Sequence, residues 1–290
     1  MLIKDILFRY KDIEQVESEI SNESYLLDNK HILKIAPPKD FPMVFYEKEM
    51  ILQEPAMHKI VTEKTSIPVQ KIIDYGKAEG RNYTLSAKLP GKPSGLDIKN
   101  SFELGQLIRQ LHDIKGDKFG YTGRHKPMVS QESWLKAFEI MWNKIVKNNL
   151  KIGGLNKFEA DQFIDIFKEF KKHFDFEMQP SLLHANLQQN TVLINKGKIS
   201  AILEWGRSLY GDPEFEFAIM DHNSLLNSYF IEGYGKKMTY TKDSIIRRKF
   251  YLAYELMAKI FIHMTRDFDL QKAKSYKEQT FRTLNELYDL

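Results

Sequence analysis

Cysteine is absent from the 290-residue chain, which excludes disulfides and thiolate metal sites. That composition fits a reducing compartment, and a cytoplasmic location is expected. Long apolar runs are missing as well. No stretch approaches ~20 apolar residues, so no transmembrane helix is expected. Met1 to Tyr10 is broken by Lys4, Asp5 and Arg9 and lacks the unbroken apolar core of a secretion signal. A strong excess of one charge is also lacking. The net charge is +4, with acids and bases interspersed, which is not the footprint of a nucleic-acid binder. The densest basic run, Arg247-Arg248-Lys249, reads as a solvated helix face. No internal repeat or low-complexity linker is found, and no membrane or nucleic-acid partner is expected.

What is present is a change of texture along the chain. Ser24 to Asp28 and His31 to Ala36 are apolar-rich runs around Asp28-Asn29-Lys30, a hairpin signal. Pro37-Pro38 stops the second run. From Val44 to Thr62 apolar positions recur at helical spacing, and Pro55 is expected to kink or interrupt that segment. Ile67 to Tyr75 and Tyr83 to Leu89 complete a small β-rich part. Helices are expected over Phe102–Ile114, Trp134–Val146, Phe158–Phe174, Ser244–Met264 and Lys272–Leu287, from amphipathic spacing such as Leu104, Leu107, Ile108 and Leu111. Within them lies a β insertion, 182–205, made of Leu182-Leu183, Thr191 to Ile194 and Ile199 to Leu203. Two lobes are therefore expected, 1–88 and 89–290, with a ligand cleft between them.

The stretch from Leu182 to Ala218 carries the chemistry. His184 and Leu187, the strand Val192-Leu193-Ile194, Gly197, Ile202 to Trp205, Gly211-Asp212-Pro213 and Phe217-Ala218 follow one another in a fixed register. In that register the chain resembles the aminoglycoside phosphotransferase and choline kinase-like family. There the pattern is His-Gly-Asp-Leu, an Asn, a strand, Ile-Asp-Trp/Phe, Gly-Asp-Pro and Asp-Leu-Ala. The likeness extends over residues 15–265 through Ile32-Leu33-Lys34-Ile35, Tyr46-Glu47-Lys48-Glu49-Met50, Ile67-Pro68-Val69-Gln70-Lys71, Leu89-Pro90-Gly91 and Leu107 to His112. It implies an α+β, bilobal protein-kinase-like fold with a small β-rich N-lobe and a larger, mostly helical C-lobe.

The resemblance also implies roles. Lys34 would hold the phosphates of ATP or GTP and Glu47 would hold Lys34, with Glu49 as the alternate. Ser21 and Asn22 would offer polar groups in the glycine-free loop between Glu17 and Tyr25. The backbone at Ala87 and Leu89 would receive the base. Asn186 stands where the family has its carboxylate base, Thr191 where it has the metal-binding Asn, and Glu204 where it has the metal-binding Asp, so magnesium falls to Glu204 with Asn190 or Thr191. Glu216 replaces the Asp of Asp-Leu-Ala. His184 reads as a brace for the loop, and Asp212-Pro213 as a helix cap. An amide cannot act as a general base at neutral pH, and a lost base costs on the order of 10²–10⁴ in rate. The expected function is a pseudokinase-like protein that binds a nucleotide or small molecule. The alternative is a slow ATP- or GTP-dependent O-phosphotransferase acting on an aminoglycoside, choline or other alcohol. An excess of Lys and Arg over Asp and Glu between Lys236 and Arg282 argues against an aminoglycoside.

Overall fold

The computed structural model describes residues 2–16, 22–121, 131–236 and 240–290. Its first part comprises α1 (Ile3–Leu7), β1 (Ile13–Val16), β2 (Glu23–Leu27), β3 (His31–Ile35), α2 (Met50–Lys64), β4 (Ile72–Ala78) and β5 (Arg81–Ala87). The five strands form one antiparallel sheet in the order β1-β2-β3-β5-β4. The expected hairpin is β2–β3. Its turn residues Asp28 and Asn29 adopt left-handed φ of 48° and 53°, a conformation these two residue types tolerate.

The second part begins with β6 (Lys92–Pro93), α3 (Ile98–Asp113), β7 (Gly120–Tyr121), α4 (Trp134–Lys151) and α5 (Lys157–Phe170). It continues with β8 (Ser181–Leu183), β9 (Val192–Asn195), β10 (Lys198–Ile202), β11 (Leu209–Gly211), α6 (Pro213–His222), α7 (Ser228–Tyr234), α8 (Lys242–Thr265) and α9 (Leu270–Asn285). The short strands form two three-stranded sheets, β10-β9-β6 and β7-β11-β8, set among the helices. Asp212 caps α6 by accepting from the Glu214 amide, with Pro213 in the first turn, as the sequence implied. Helices α3 and α7 meet through Gly105 and Gly233; a Cβ on Gly233 would stand 2.0 Å from the Phe102 carbonyl oxygen. Among the described residues no helix is long and apolar enough to cross a membrane.

Helix α2 departs from expectation in two ways. It runs through Pro55 without interruption, preceded by a 3-10 turn at Glu47–Glu49. Its apolar side chains also do not join the core of the sheet. That core is Leu27, Leu33, Ile35, Ala78, Tyr83 and Leu85, closed by Ile6 of α1. Met50 of α2, with Val44 and Tyr46 before it, packs into the large aromatic core of the helical part around Trp134, Phe138 and Tyr254. Met57 and Val61 pack with Leu104, Leu111 and Trp205. The chain crosses from sheet to helices near residue 88, but α2 is built into the helical side.

Candidate active site

Alternation along β3 sends Leu33 and Ile35 into the core of the sheet and leaves Ile32 and Lys34 on the opposite face. There they line a cavity of about 410 Å³ with Ser24, Gln70, Asn190 and Glu204. The cavity lies between the sheet and the β8–β10 insertion, where the cleft was expected. Lys34 is at its centre. Its Nζ donates to Glu204 Oε1 at 2.7 Å and to Glu54 Oε1 at 3.0 Å. All three side chains are buried, with 9%, 13% and 7% exposure respectively. Burial alone would lower the Lys34 pKa; Glu204 and then Glu54 outweigh it and hold the ammonium well above the ordinary lysine range.

Glu54, not Glu47, is therefore the helix partner of Lys34. Glu47 faces the other way: it is held by both terminal nitrogens of Arg266 and accepts from the Val44 amide. Sequence reasoning missed Glu54 because the resemblance of Tyr46-Glu47-Lys48-Glu49-Met50 placed the partner at Glu47 or Glu49. Helix α2 starts only at Met50, so the face toward the sheet is reached about two turns beyond Glu47.

The loop from His184 to Thr191 is braced from below. His184 Nε2 donates to the Leu203 carbonyl at 2.7 Å, and its Nδ1 accepts from the Asn186 amide at 3.2 Å. Glu216, fully buried, accepts from the amides of His184 and Ala185, so this position is structural. Burial pushes Glu216 up, but His112, His184 and the Ala185 amide outweigh it and hold the carboxyl below its ordinary range. Burial lowers His184 and His112 below 6.5. Ala185 and Glu204 both hold left-handed φ, 59° and 67°, a strained conformation for non-glycine residues and one that collects at functional sites.

These shifts predict an early acid loss of stability. A histidine whose folded pKa is depressed is neutral in the fold, while the unfolded chain takes up a proton below 6.5. Its contribution is complete above that value and is lost as the pH falls toward the folded value. Glu216 adds a second loss below 4.5. Denaturant titrations across this range should show stability declining below pH 6.5, with a smaller decline in His184→Gln. A flat profile down to the carboxylate range would contradict this reading.

The remaining expected residues divide. Asn190 is exposed and lines the cleft cavity with Glu204. Thr191 lines it too, but its hydroxyl is engaged, accepting from the Gln188 amide and donating to the Gln188 carbonyl. Asn186 does not line this cavity; it opens onto a second one on the other side of the loop. Asn22 lines a third cavity, with Lys39, Lys77 and Arg81. Ser21 lies outside the described residues. Ala87 and Leu89 are not among the residues lining the cleft cavity, and the Ala87 amide donates to the Lys71 carbonyl.

The fit to a divalent cation rests on one atom. Glu204 Oε2 is buried and has no hydrogen-bond partner among the described residues, an arrangement that is costly unless something else occupies it. Carboxylate and amide oxygens suit magnesium, so Glu204 with Asn190 could hold it. Among the described residues no group of three or more His, Cys, Asp or Glu is poised for a metal. That suits a cation bound mainly by a ligand's phosphates.

Comparison with known proteins agrees with this geometry. Residues 12–232 match the model of the Phosphotransferase enzyme family (APH). Among solved structures, the chain is similar to a protein of Haemophilus somnus 129PT provisionally named a fructosamine-3-kinase. The TM-score is 0.74 at 20% identity, over 96% of this chain and 91% of that one. It is similar to a thermostable mutant of aminoglycoside phosphotransferase APH(4)-Ia, with a TM-score of 0.66 at 14% identity, over 95% and 94%. It is also similar to the GDP complex of a mutant aminoglycoside 2'-phosphotransferase-IIIa, with a TM-score of 0.67 at 12% identity, over 96% and 93%. No curated protein matches it in sequence. The fold is the bilobal, protein-kinase-like one.

Proposed function

Because the chain belongs to the phosphotransferase enzyme family, we propose that it binds a magnesium–nucleoside triphosphate in the cleft and transfers its phosphoryl group slowly or not at all. One observation carries the reading. Lys34 and Glu204 meet at 2.7 Å in a cavity between the lobes, while the residue at the expected base position, Asn186, is an amide that lines the second cavity, which we take as the acceptor side. Nucleotide-holding groups are retained and the proton acceptor is not. The solved relative bound to GDP supports a nucleotide as the ligand.

The charge of the cluster sets a condition on binding. Lys34 is one cation against two carboxylates, so a bare polyphosphate meets a net negative site. A divalent ion on Glu204 reverses that sign. Nucleotide binding should then depend on the metal. In thermal unfolding, ATP or GTP with magnesium at 100-fold over Kd should add about 2.7 kcal/mol of stability, and the same nucleotide with EDTA should add none. Absence of a shift with either magnesium–nucleotide at millimolar concentration would sink the proposal. Steady transfer at the ~1–100 s⁻¹ typical of kinases, abolished in Lys34→Ala, would overturn its slow-or-absent part.

A further inference from the structure

The second cavity, of about 80 Å³, lies beside Asn186 and is lined by Tyr46, Arg207, His222, Glu255 and Lys259 among others. Its size admits a few water-sized groups and falls well short of the ~300–1,000 Å³ of sites for drug-sized ligands. Its charges decide what those groups can be.

Two carboxylates line it, Glu47 and Glu255, and both are already neutralised. Glu47 is gripped at both oxygens by Arg266. Glu255 is gripped at both oxygens by Arg207, which also stacks over the Tyr46 ring at 4.6 Å. Partial burial lowers the His222 pKa, outweighing Glu255 and Asp221, with Lys259 adding to the effect, so the imidazole is neutral at neutral pH. Lys259 lies one turn beyond Glu255 on α8. Because Arg207 takes both Glu255 oxygens, Lys259 is half-buried with no ion-pair or hydrogen-bond partner found among the described residues. Its ammonium is therefore open to an anion in the cavity, and a ligand carboxylate beside it gains a charge-assisted contact.

We infer that this cavity binds a small hydroxy acid, its carboxylate at Lys259 and its hydroxyl toward Asn186, and that it rejects polycations. The inference rests on the acceptor side assigned above. Polyamine-like sugars would bring several positive charges to a wall with no free carboxylate. A compact anion meets the one uncompensated charge there.

The test is calorimetry on the full chain with magnesium–ATP present, using D-glycerate, L-lactate and L-malate as probes, with glycerol and kanamycin beside them. At least one acid should bind, with affinity reduced about tenfold or more in Lys259→Met and kept in Lys259→Arg. Kanamycin should not bind. Melting curves without ligand verify that both variants are folded. Kanamycin binding, acid binding indifferent to Lys259→Met, or no binding of any acid up to about 10 mM overturns the inference. The magnesium–ATP shift is recorded in parallel. If it persists while the acids fail, only this inference falls; if both fail, the nucleotide reading falls with it.

Discussion

Replacing Lys34 with methionine is expected to lower the unfolding free energy by about 3–5 kcal/mol, because it leaves two buried carboxylates without their shared cation. Glu54 and Glu204 both bond the one Nζ atom. Neither has another ion-pair partner among the described residues. Methionine matches the length of the lysine stem and keeps its packing, so the loss reports charge and not volume. In the wild type the raised pKa of Lys34 makes its contribution complete below 10.5 and lost only at higher, strongly alkaline pH. Magnesium should restore part of the variant's stability, since a divalent ion can replace the missing positive charge. Urea titrations at neutral pH, with and without magnesium, measure this. A change below about 1 kcal/mol at neutral pH would mean that water already screens the cluster, as it does for surface pairs.

The second large effect is a gain. The triple variant Asn186→Asp, Thr191→Asn and Glu204→Asp should raise nucleotide turnover by about 10²–10⁴. Each change answers a feature of the site. An aspartate at 186 supplies a proton acceptor on a loop already positioned by His184. The shorter aspartate at 204 draws back from Lys34, which Glu204 now contacts at 2.7 Å, and frees the ammonium for a phosphate. An asparagine at 191 replaces a hydroxyl now used to close the turn at Gln188 with an amide able to reach a cation. Hydrolysis, with water as acceptor, makes the measurement independent of the natural alcohol. A rate that stays within tenfold of the wild type, in a variant that still binds magnesium–nucleotide, would show that the defect lies elsewhere.

Much of this was legible because local rules and the register of the motif agreed. The hairpin around Asp28-Asn29, the capping of α6 by Asp212 and the place of Lys34 and Glu204 on one cavity could all be anticipated; their direct ion pair could not. Glu54 could not, because the resemblance pointed to Glu47, while the helix that carries Glu54 begins only at Met50 and runs on through Pro55. The same error hid the true place of Glu47, whose partner Arg266 is 219 residues away. The Arg207–Glu255 pair and the solitary Lys259 were equally hidden, since spacing says nothing about which of two neighbouring cations on different elements reaches a carboxylate first. The separation of Asn186 from Asn190 and Thr191 was also illegible. Four residues of one loop face two different cavities, Asn186 and Gln188 one and Asn190 and Thr191 the other, which depends on backbone dihedrals such as the left-handed Ala185.

The anchoring of α2 in the helical lobe bears on how the two halves come apart. Glu54 travels with that lobe through Met50, Met57 and Val61, and Glu204 belongs to it already, whereas Lys34 rides on the sheet. Any swing of the sheet therefore releases both carboxylates in the same event, with no intermediate in which the lysine keeps one of them. Lys34 thus fastens the sheet to the helical lobe as a double-jawed clasp. Because the clasp is buried, added salt should hardly alter how readily it opens.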